Sequence, residues 1–413
     1  RVRHPQGEWK VSDRDPRVIV RREPGELLGA FYKIFPEGRV RRNDPLEPVT
    51  AAHWGDGYPG WPRDFNRNYP HGWSPAQQGA GPHPLSEPET QAQINFIQSR
   101  PNIAAMLAYH TAAGTILQPV PHPPAEGFDS QDLHLYKILA DLGTRRTGYP
   151  ALPSKNFQQG ISGHFTDWAY HHMGVMALLV ELWDVGAAAG IQIPYESLGD
   201  YYQDLSEDDQ VRLFQWLDRE LDGDGFAPWT AFDHPDLGEV EIGGWCLKFT
   251  RQNPPPHLLF GEIKKNPHFI FDMAAALPRT ELGGIKVTAV KDGVYRLQVQ
   301  VRNDGYLPSF VTRKAIEIEK ADPIQARLEV AGGTVTSAVI QPVGHLEGRS
   351  AHGETAGRRG YSIYGHPLPR FEELVEWTVQ VDDRAGFADA VIVAGSPRTG
   401  TARQTVRLGP ASA

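Results

Sequence analysis

The sequence predicts an α/β unit, a mostly parallel mixed sheet covered by helices, followed by an all-β sandwich. Three observations carry this. Two apolar runs, Ile103-Ala104-Ala105-Met106-Leu107-Ala108-Tyr109 and Val175-Met176-Ala177-Leu178-Leu179-Val180, are short and continuous, as strands buried on both faces are. Capped helical patterns alternate with them, as a sheet with crossover helices requires. Beyond Pro278 the chain turns to short alternating runs split by Asp292-Gly293 and Asp304-Gly305, a hairpin signature.

Taken in order, the stretch to about Asn66 is rich in Gly, Pro and Asp, including Glu23-Pro24-Gly25 and the run from Gly55 to Pro62, and reads as short strands joined by long turns. Ser86-Glu87-Pro88-Glu89 supplies an N-cap with Glu three residues on and Pro in the first turn, so a helix should run from there and stop before Pro101. Another helix begins near Ser130, a further one covers 166–172, a third capped pattern opens at Ser206, and a last one spans 258–277. Asp222-Gly223-Asp224-Gly225 reads as a helix-ending turn, because it lacks the alternating ligands and terminal Glu of a calcium loop. Asp129, Asp132 and Asp141 read as solvated or capping residues. His171 and His172, being adjacent on a helix, point to different faces and would not share a metal. Domains are expected at 1–280 and 281–413, the second a sandwich of seven or eight strands.

Composition narrows the function classes. With 413 residues and 40% hydrophobic content, the chain can bury more than one core. Its formal charge of -9, without a basic run interleaved with aromatics, disfavours nucleic acid. The single cysteine, Cys246, excludes a disulfide framework or a cysteine-built zinc cage. No apolar run approaches the ~20 residues needed to span a bilayer.

In open α/β sheets, ligands bind at the carboxyl ends of strands. His110 ends the first apolar run and Glu181 the second, so both should face one crevice. Alone, a strand-end His is more often a hydrogen-bonded structural group, a strand-end Glu could simply pair with an Arg, and Asn66-Arg67-Asn68 is usually only a turn.

Their order and surroundings, however, are dense with matches: Trp9-Lys10, Arg21-Arg22-Glu23-Pro24-Gly25, Asp64-Phe65-Asn66-Arg67-Asn68-Tyr69, Pro84-Leu85-Ser86-Glu87-Pro88-Glu89-Thr90, Ile161-Ser162-Gly163 with Asp167-Trp168-Ala169-Tyr170, and Glu181-Leu182-Trp183-Asp184. Over residues 1–278 this pattern resembles the zinc metallocarboxypeptidases of the carboxypeptidase A/B type, in particular a bacterial branch in which a β-sandwich follows the peptidase domain. The resemblance implies a carboxypeptidase-like fold and a hydrolase that removes C-terminal residues from peptides and proteins. It implies Zn2+ held by two His and one Glu, with His110 as the third ligand and Glu181 as general base. Asn66 and Arg67 would take the substrate's terminal carboxylate, a role suited to a permanently charged, bidentate guanidinium beside an amide donor. Thr166 would floor the side-chain pocket without the carboxylate that favours Lys or Arg. Export to a secreted or periplasmic location is a further expectation of the family.

Two departures stand out. The family's first two ligands come from a His-x-x-Glu pair, and no His in this sequence is followed three residues later by Glu. His164 and Asp167 have the interval but lie where the family places no ligand. The expectation is that the chain lacks the N-terminal part of the peptidase domain, with marginal stability as a result. Secondly, where the family carries a mobile Tyr, this chain has Asn156-Phe157-Gln158-Gln159. The competing reading is a metal-free carboxypeptidase-like protein that binds peptide or cell-wall ends.

Overall fold

The computed structural model describes residues 1–35, 63–119, 128–152, 161–191, 205–351, 370–382 and 386–409. The first of these segments is a small antiparallel sheet of β1 (Val2–Arg3), β2 (Trp9–Val11), β3 (Ile19–Arg21) and β4 (Phe31–Lys33), ordered β1-β4-β2-β3.

Helix α1 (Pro88–Gln98) starts on its proline and buries Thr90, Ile94 and Ile97. Ser86 is not its cap. Glu87 holds that position without a side-chain bond to the first turn, while the Ser86 hydroxyl donates to the Glu87 carboxylate at 2.7 Å and accepts from Asn68 at 2.9 Å. The buried amide of Asn68 has captured the hydroxyl that would otherwise close the helix.

A mixed sheet follows, built from β5 (Ala105–Thr111), β6 (Thr115–Leu117), β7 (Ala151–Leu152) and β8 (Met176–Leu182) in the order β5-β8-β6-β7. The β5/β8 and β6/β7 pairs are parallel and β6/β8 is antiparallel. Helices cover it, the next two in the chain among them. In α2 (Ser130–Thr147) the Asp129 carboxylate accepts from the amides of Gln131 and Asp132, and Gly148 ends the helix in the left-handed region. Helix α3 (Phe165–Met173) packs Trp168, Ala169 and Tyr170 inward.

Asp132 contradicts its sequence reading. It is fully buried, accepting from the Tyr170 hydroxyl at 2.8 Å and from the backbone amides of Arg313 and Lys314 at 2.7 and 3.1 Å. Burial still pushes its carboxyl above the ordinary aspartate value.

Helix α4 (Glu207–Leu221) is capped by Ser206 and ends at Asp222 in the left-handed region, as the Asp-Gly turn requires. The hairpin β9 (Phe226–His234) and β10 (Gly238–Trp245) comes next, followed by α5 (Pro256–Ala276). No helix among the described residues is long and apolar enough to cross a membrane.

From Thr280 the chain is antiparallel. Strands β11 (Thr280–Lys291), β12 (Val294–Asn303), β13 (Ile324–Ala331), β14 (Gly333–Val335), β15 (Ile340–Gly344), β16 (Glu372–Val381), β17 (Ala388–Ser396) and β18 (Gly400–Leu408) form two sheets, β11-β12-β16-β14 and β15-β13-β17-β18. A short helix, α6 (Arg313–Glu317), lies between β12 and β13. Alternate residues of β12 and β17 point into a common core with Trp377, including Leu297, Val299, Ala390 and Ile392. A second core crosses the chain's two halves: Leu307 and Val311, which follow β12, pack with Tyr136, Tyr170, Phe269 and Met273.

Candidate active site

The parallel register of β5 and β8 sets His110 opposite Glu181. Neighbouring strands lie ~4.8 Å apart, so the register alone makes these side chains neighbours. The expected pairing at the strand ends is therefore observed. Glu181 is largely buried, and its Oε2 has no hydrogen-bond partner. Burial raises it to about 7, opposed by the Arg67 charge and reinforced by Asp64. Burial also lowers His110, with Asp64 acting against that and Arg67 and His164 adding to it. These mutual effects bring Asp64, Arg67, His164, His110 and Glu181 into one electrostatic neighbourhood.

Asn66 and Arg67 sit in a 3-10 turn, Phe65–Arg67, which Asp64 opens by accepting from the Asn66 amide at 2.9 Å. The Arg67 guanidinium donates to the Asn66 carbonyl at 2.8 Å and lies 3.4 Å from the Asp64 carboxylate. The Asn66 side-chain oxygen accepts from the Phe165 amide at 2.8 Å. With that oxygen engaged, the amide donor of Asn66 is the end left to meet a ligand.

Two further contacts fasten this turn. The Tyr69 amide donates to the Gly163 carbonyl at 3.0 Å, and the Gly163 amide to the His71 carbonyl at 3.2 Å. Gly163 has φ +77, and a Cβ there would fall 2.3 Å from the Arg67 carbonyl oxygen, so no other residue fits. Behind the turn, Asn68 is fully buried and binds the loop to the start of α1. It donates to the Ala80 and His83 carbonyls and to Ser86, and accepts from the Glu87 amide and the Thr90 hydroxyl.

A groove of about 590 Å³ runs along β5 and contains Asn66, Tyr69, Tyr109, His110 and Phe165. A cavity of about 620 Å³ lies elsewhere, lined by Trp9, Arg21, Glu207 and Trp245, and it holds none of the four candidate residues. Of the four candidates, the groove is lined by Asn66 and His110. Thr166 is buried in the first turn of α3. The Asn156-to-Gln159 segment lies outside the described residues.

Sequence reasoning passed over two members of the site. Asp64 caps the turn, a role its place two residues before Asn66 could have signalled. His164, set aside as a ligand, is completely buried just before α3, with Nδ1 3.2 Å from the Asp167 carboxylate. His171 stacks its ring on His71 with centroids 3.8 Å apart, and His172 meets the same ring edge-on at 5.5 Å.

A catalytic zinc site needs three protein ligands. Among the described residues no three His, Cys, Asp or Glu side chains converge to hold a metal ion, so these residues alone do not fit one.

Comparison with known proteins agrees with the sequence resemblance. A model described as zinc carboxypeptidase matches residues 56–207, and one described as a domain of unknown function (DUF8731) matches 279–407. Carboxypeptidase A6 of Mus musculus is 30% identical over 135 residues, covering 30% of this chain and 31% of that protein. The chain thus spans about a third of the curated relative it matches. Two solved β-glucosidases, a GH3 enzyme of Bifidobacterium adolescentis and DesR of Streptomyces venezuelae, are 14% and 17% identical, each over 32% of this chain and over 17% and 15% of their own, at a TM-score of 0.14. A score that low carries no argument. Residues 56–207, rather more than a third of the chain, are thus similar to the zinc carboxypeptidase family.

Proposed function

We propose that this protein is a carboxypeptidase-like hydrolase that removes C-terminal residues from peptides or proteins. The observation that carries the reading is the juxtaposition of Glu181, whose Oε2 is buried without a hydrogen-bond partner, with His110, which lines a groove together with Asn66. In this reading Arg67 binds the terminal carboxylate as a charged fork, and the amide of Asn66 adds a donor. Internal peptide bonds, lacking that charge, are disfavoured. Glu181 takes a proton from the attacking water and delivers it to the leaving amine, a task suited to a carboxyl raised to about 7.

The family implies Zn2+, and we assign His110 as one ligand. The described residues supply one of the three protein ligands, so no step is derived through the metal. We divide the protein into a peptidase part, 1–280, with a carboxypeptidase-like fold, and a β-sandwich, 281–413. A secreted or periplasmic location accords with the family reading.

A second reading, favoured because no three metal-ligating side chains converge among the described residues, is a protein that binds peptide or cell-wall ends without chemistry. Turnover and binding of matched peptides with free or amidated C-termini separate the two. The hydrolase reading expects cleavage of free-carboxylate peptides only, a rise in KM in Arg67→Ala, and a loss of roughly 100-fold or more in kcat in Glu181→Gln. Near-full turnover in Glu181→Gln would overturn the assigned base. Carboxylate-selective binding without turnover would establish the second reading, and indifference to amidation would overturn both.

A further inference from the structure

Helix α3 is held at both ends by side chains that do not belong to it. At its start, His164 makes no capping bond, and the first amide, Phe165 N–H, is satisfied by the Asn66 side chain. At its end, Arg398 donates to the Met173 carbonyl at 2.6 Å and to the Gly174 carbonyl at 3.0 Å. The Thr312 hydroxyl donates to the same Gly174 carbonyl at 2.9 Å. Both residues come from the antiparallel half of the chain: Thr312 caps α6, and Arg398 sits in the turn between β17 and β18.

Arg398 is 9% exposed, a burial that an arginine tolerates only when its charge is matched. Among the described residues no carboxylate hydrogen-bonds it, and Asp322 acts on it by charge alone. The carbonyls at the negative end of α3 take that part, and each Arg398 bond is charge-assisted. Gly174 shows how tightly the two halves meet, since it has φ +58 and a Cβ there would fall 2.4 Å from the Cα of Ala315. The Arg398 turn is fixed in turn to β11, through Thr280, whose hydroxyl lies 2.7 Å from that of Thr399.

From these contacts we propose that Arg398 of the β-sandwich is a positioning residue for the Asn66–Arg67 pair, acting through α3. The nine residues of α3 form a strut about 13 Å long. One end is clamped by Arg398 and Thr312, and the other presents the amide that fixes how Asn66 is turned. The β-sandwich thereby sets the orientation of the carboxylate-binding donors without touching the ligand. The inference rests on the proposed role of Asn66 and Arg67 in carboxylate recognition.

Two readouts on the full chain test it: hydrogen exchange across 64–69 and 164–173, and the affinity ratio for peptides with free and amidated C-termini. Arg398→Ala should speed exchange of the Phe165 and Tyr69 amides and shrink the carboxylate preference by roughly tenfold, with amide-peptide affinity unchanged. Arg398→Lys should recover part of the preference. Thr312→Val should lose roughly threefold, and it carries the test if Arg398→Ala does not fold. A folded Arg398→Ala or Thr312→Val with unchanged exchange at 64–69 and unchanged preference would overturn the proposal. If Asn66→Ala also leaves the preference intact, the carboxylate assignment falls, while exchange at 64–69 still decides whether Arg398 acts on the turn.

Discussion

Replacing Asn68 by alanine should be among the most damaging single changes in the α/β part, and the cost can be worked from its partners. Five hydrogen bonds converge on this fully buried amide. They are not equal losses. The Ala80 carbonyl keeps a second donor, the Trp73 indole at 2.9 Å. The Ser86 hydroxyl retains the Glu87 carboxylate at 2.7 Å, and the Thr90 hydroxyl retains the Glu87 carbonyl at 2.8 Å. The His83 carbonyl keeps the Ser86 amide at 3.2 Å, so the Glu87 amide is the one group left stranded. At ~1–3 kcal/mol for the stranded amide, plus a few tenths for each of the four weakened groups, the sum is about 2–4 kcal/mol. Urea unfolding followed by tryptophan fluorescence reads this as a lowered midpoint. Asn68→Asp should fare no better, because it turns a carboxylate oxygen toward two carbonyls. Its loss should deepen as pH rises, since a buried carboxyl facing carbonyls is raised and its folded form is penalised once ionised. A cost below about 1 kcal/mol for Asn68→Ala would refute this accounting of stranded partners.

Other outcomes follow from the same geometry. Burial raises Glu181 to about 7, so the unfolded chain gives up this proton near the ordinary glutamate value and the folded chain only near 7. The stability conferred by the protonated form is present in acid and lost as pH climbs between those values. Glu181→Gln should match the parent near pH ~4 and exceed it near pH ~8 by up to about 3 kcal/mol, and parallel melting curves across that range would count against the buried carboxyl. Phe269, fully buried against Gly143 and Ile116, should cost about 3–5 kcal/mol when replaced by alanine, and a denaturant midpoint close to the parent would mean that the core collapses around the gap.

The features that could be read from the sequence were those marked by local pattern. His110 and Glu181 each close an apolar run, and the register of β5 and β8 sets them side by side. Asn66 and Arg67 were identified from a motif, and the 3-10 turn gives that motif a shape. What escaped depends on partners distant in sequence. Asp132 looks like any first-turn aspartate until the amides of residues 313 and 314 arrive from some 180 positions away. Ser86 satisfies every local rule for a cap, but the Asn68 amide reaches it first. The β9–β10 hairpin gave no alternating signal because most of β9 is exposed, so its face carries no apolar stripe to read. Arg398 offers no clue at all in a turn otherwise suited to a solvated loop.

The core shared by Leu307, Val311, Tyr136 and Phe269 has a consequence for how such proteins could be recombined. A sandwich that merely followed a peptidase could be exchanged by cutting the chain after α5 and splicing in another. Here the stretch after β12 is part of the first unit's interior, so a cut there removes wall as well as annex. A graft that succeeds must carry the side chains at 307 and 311, or bring substitutes of the same volume, along with the strands that hold them. Inheritance of the two parts is therefore expected to be joint, with substitutions at Phe269 answered by changes some forty residues downstream.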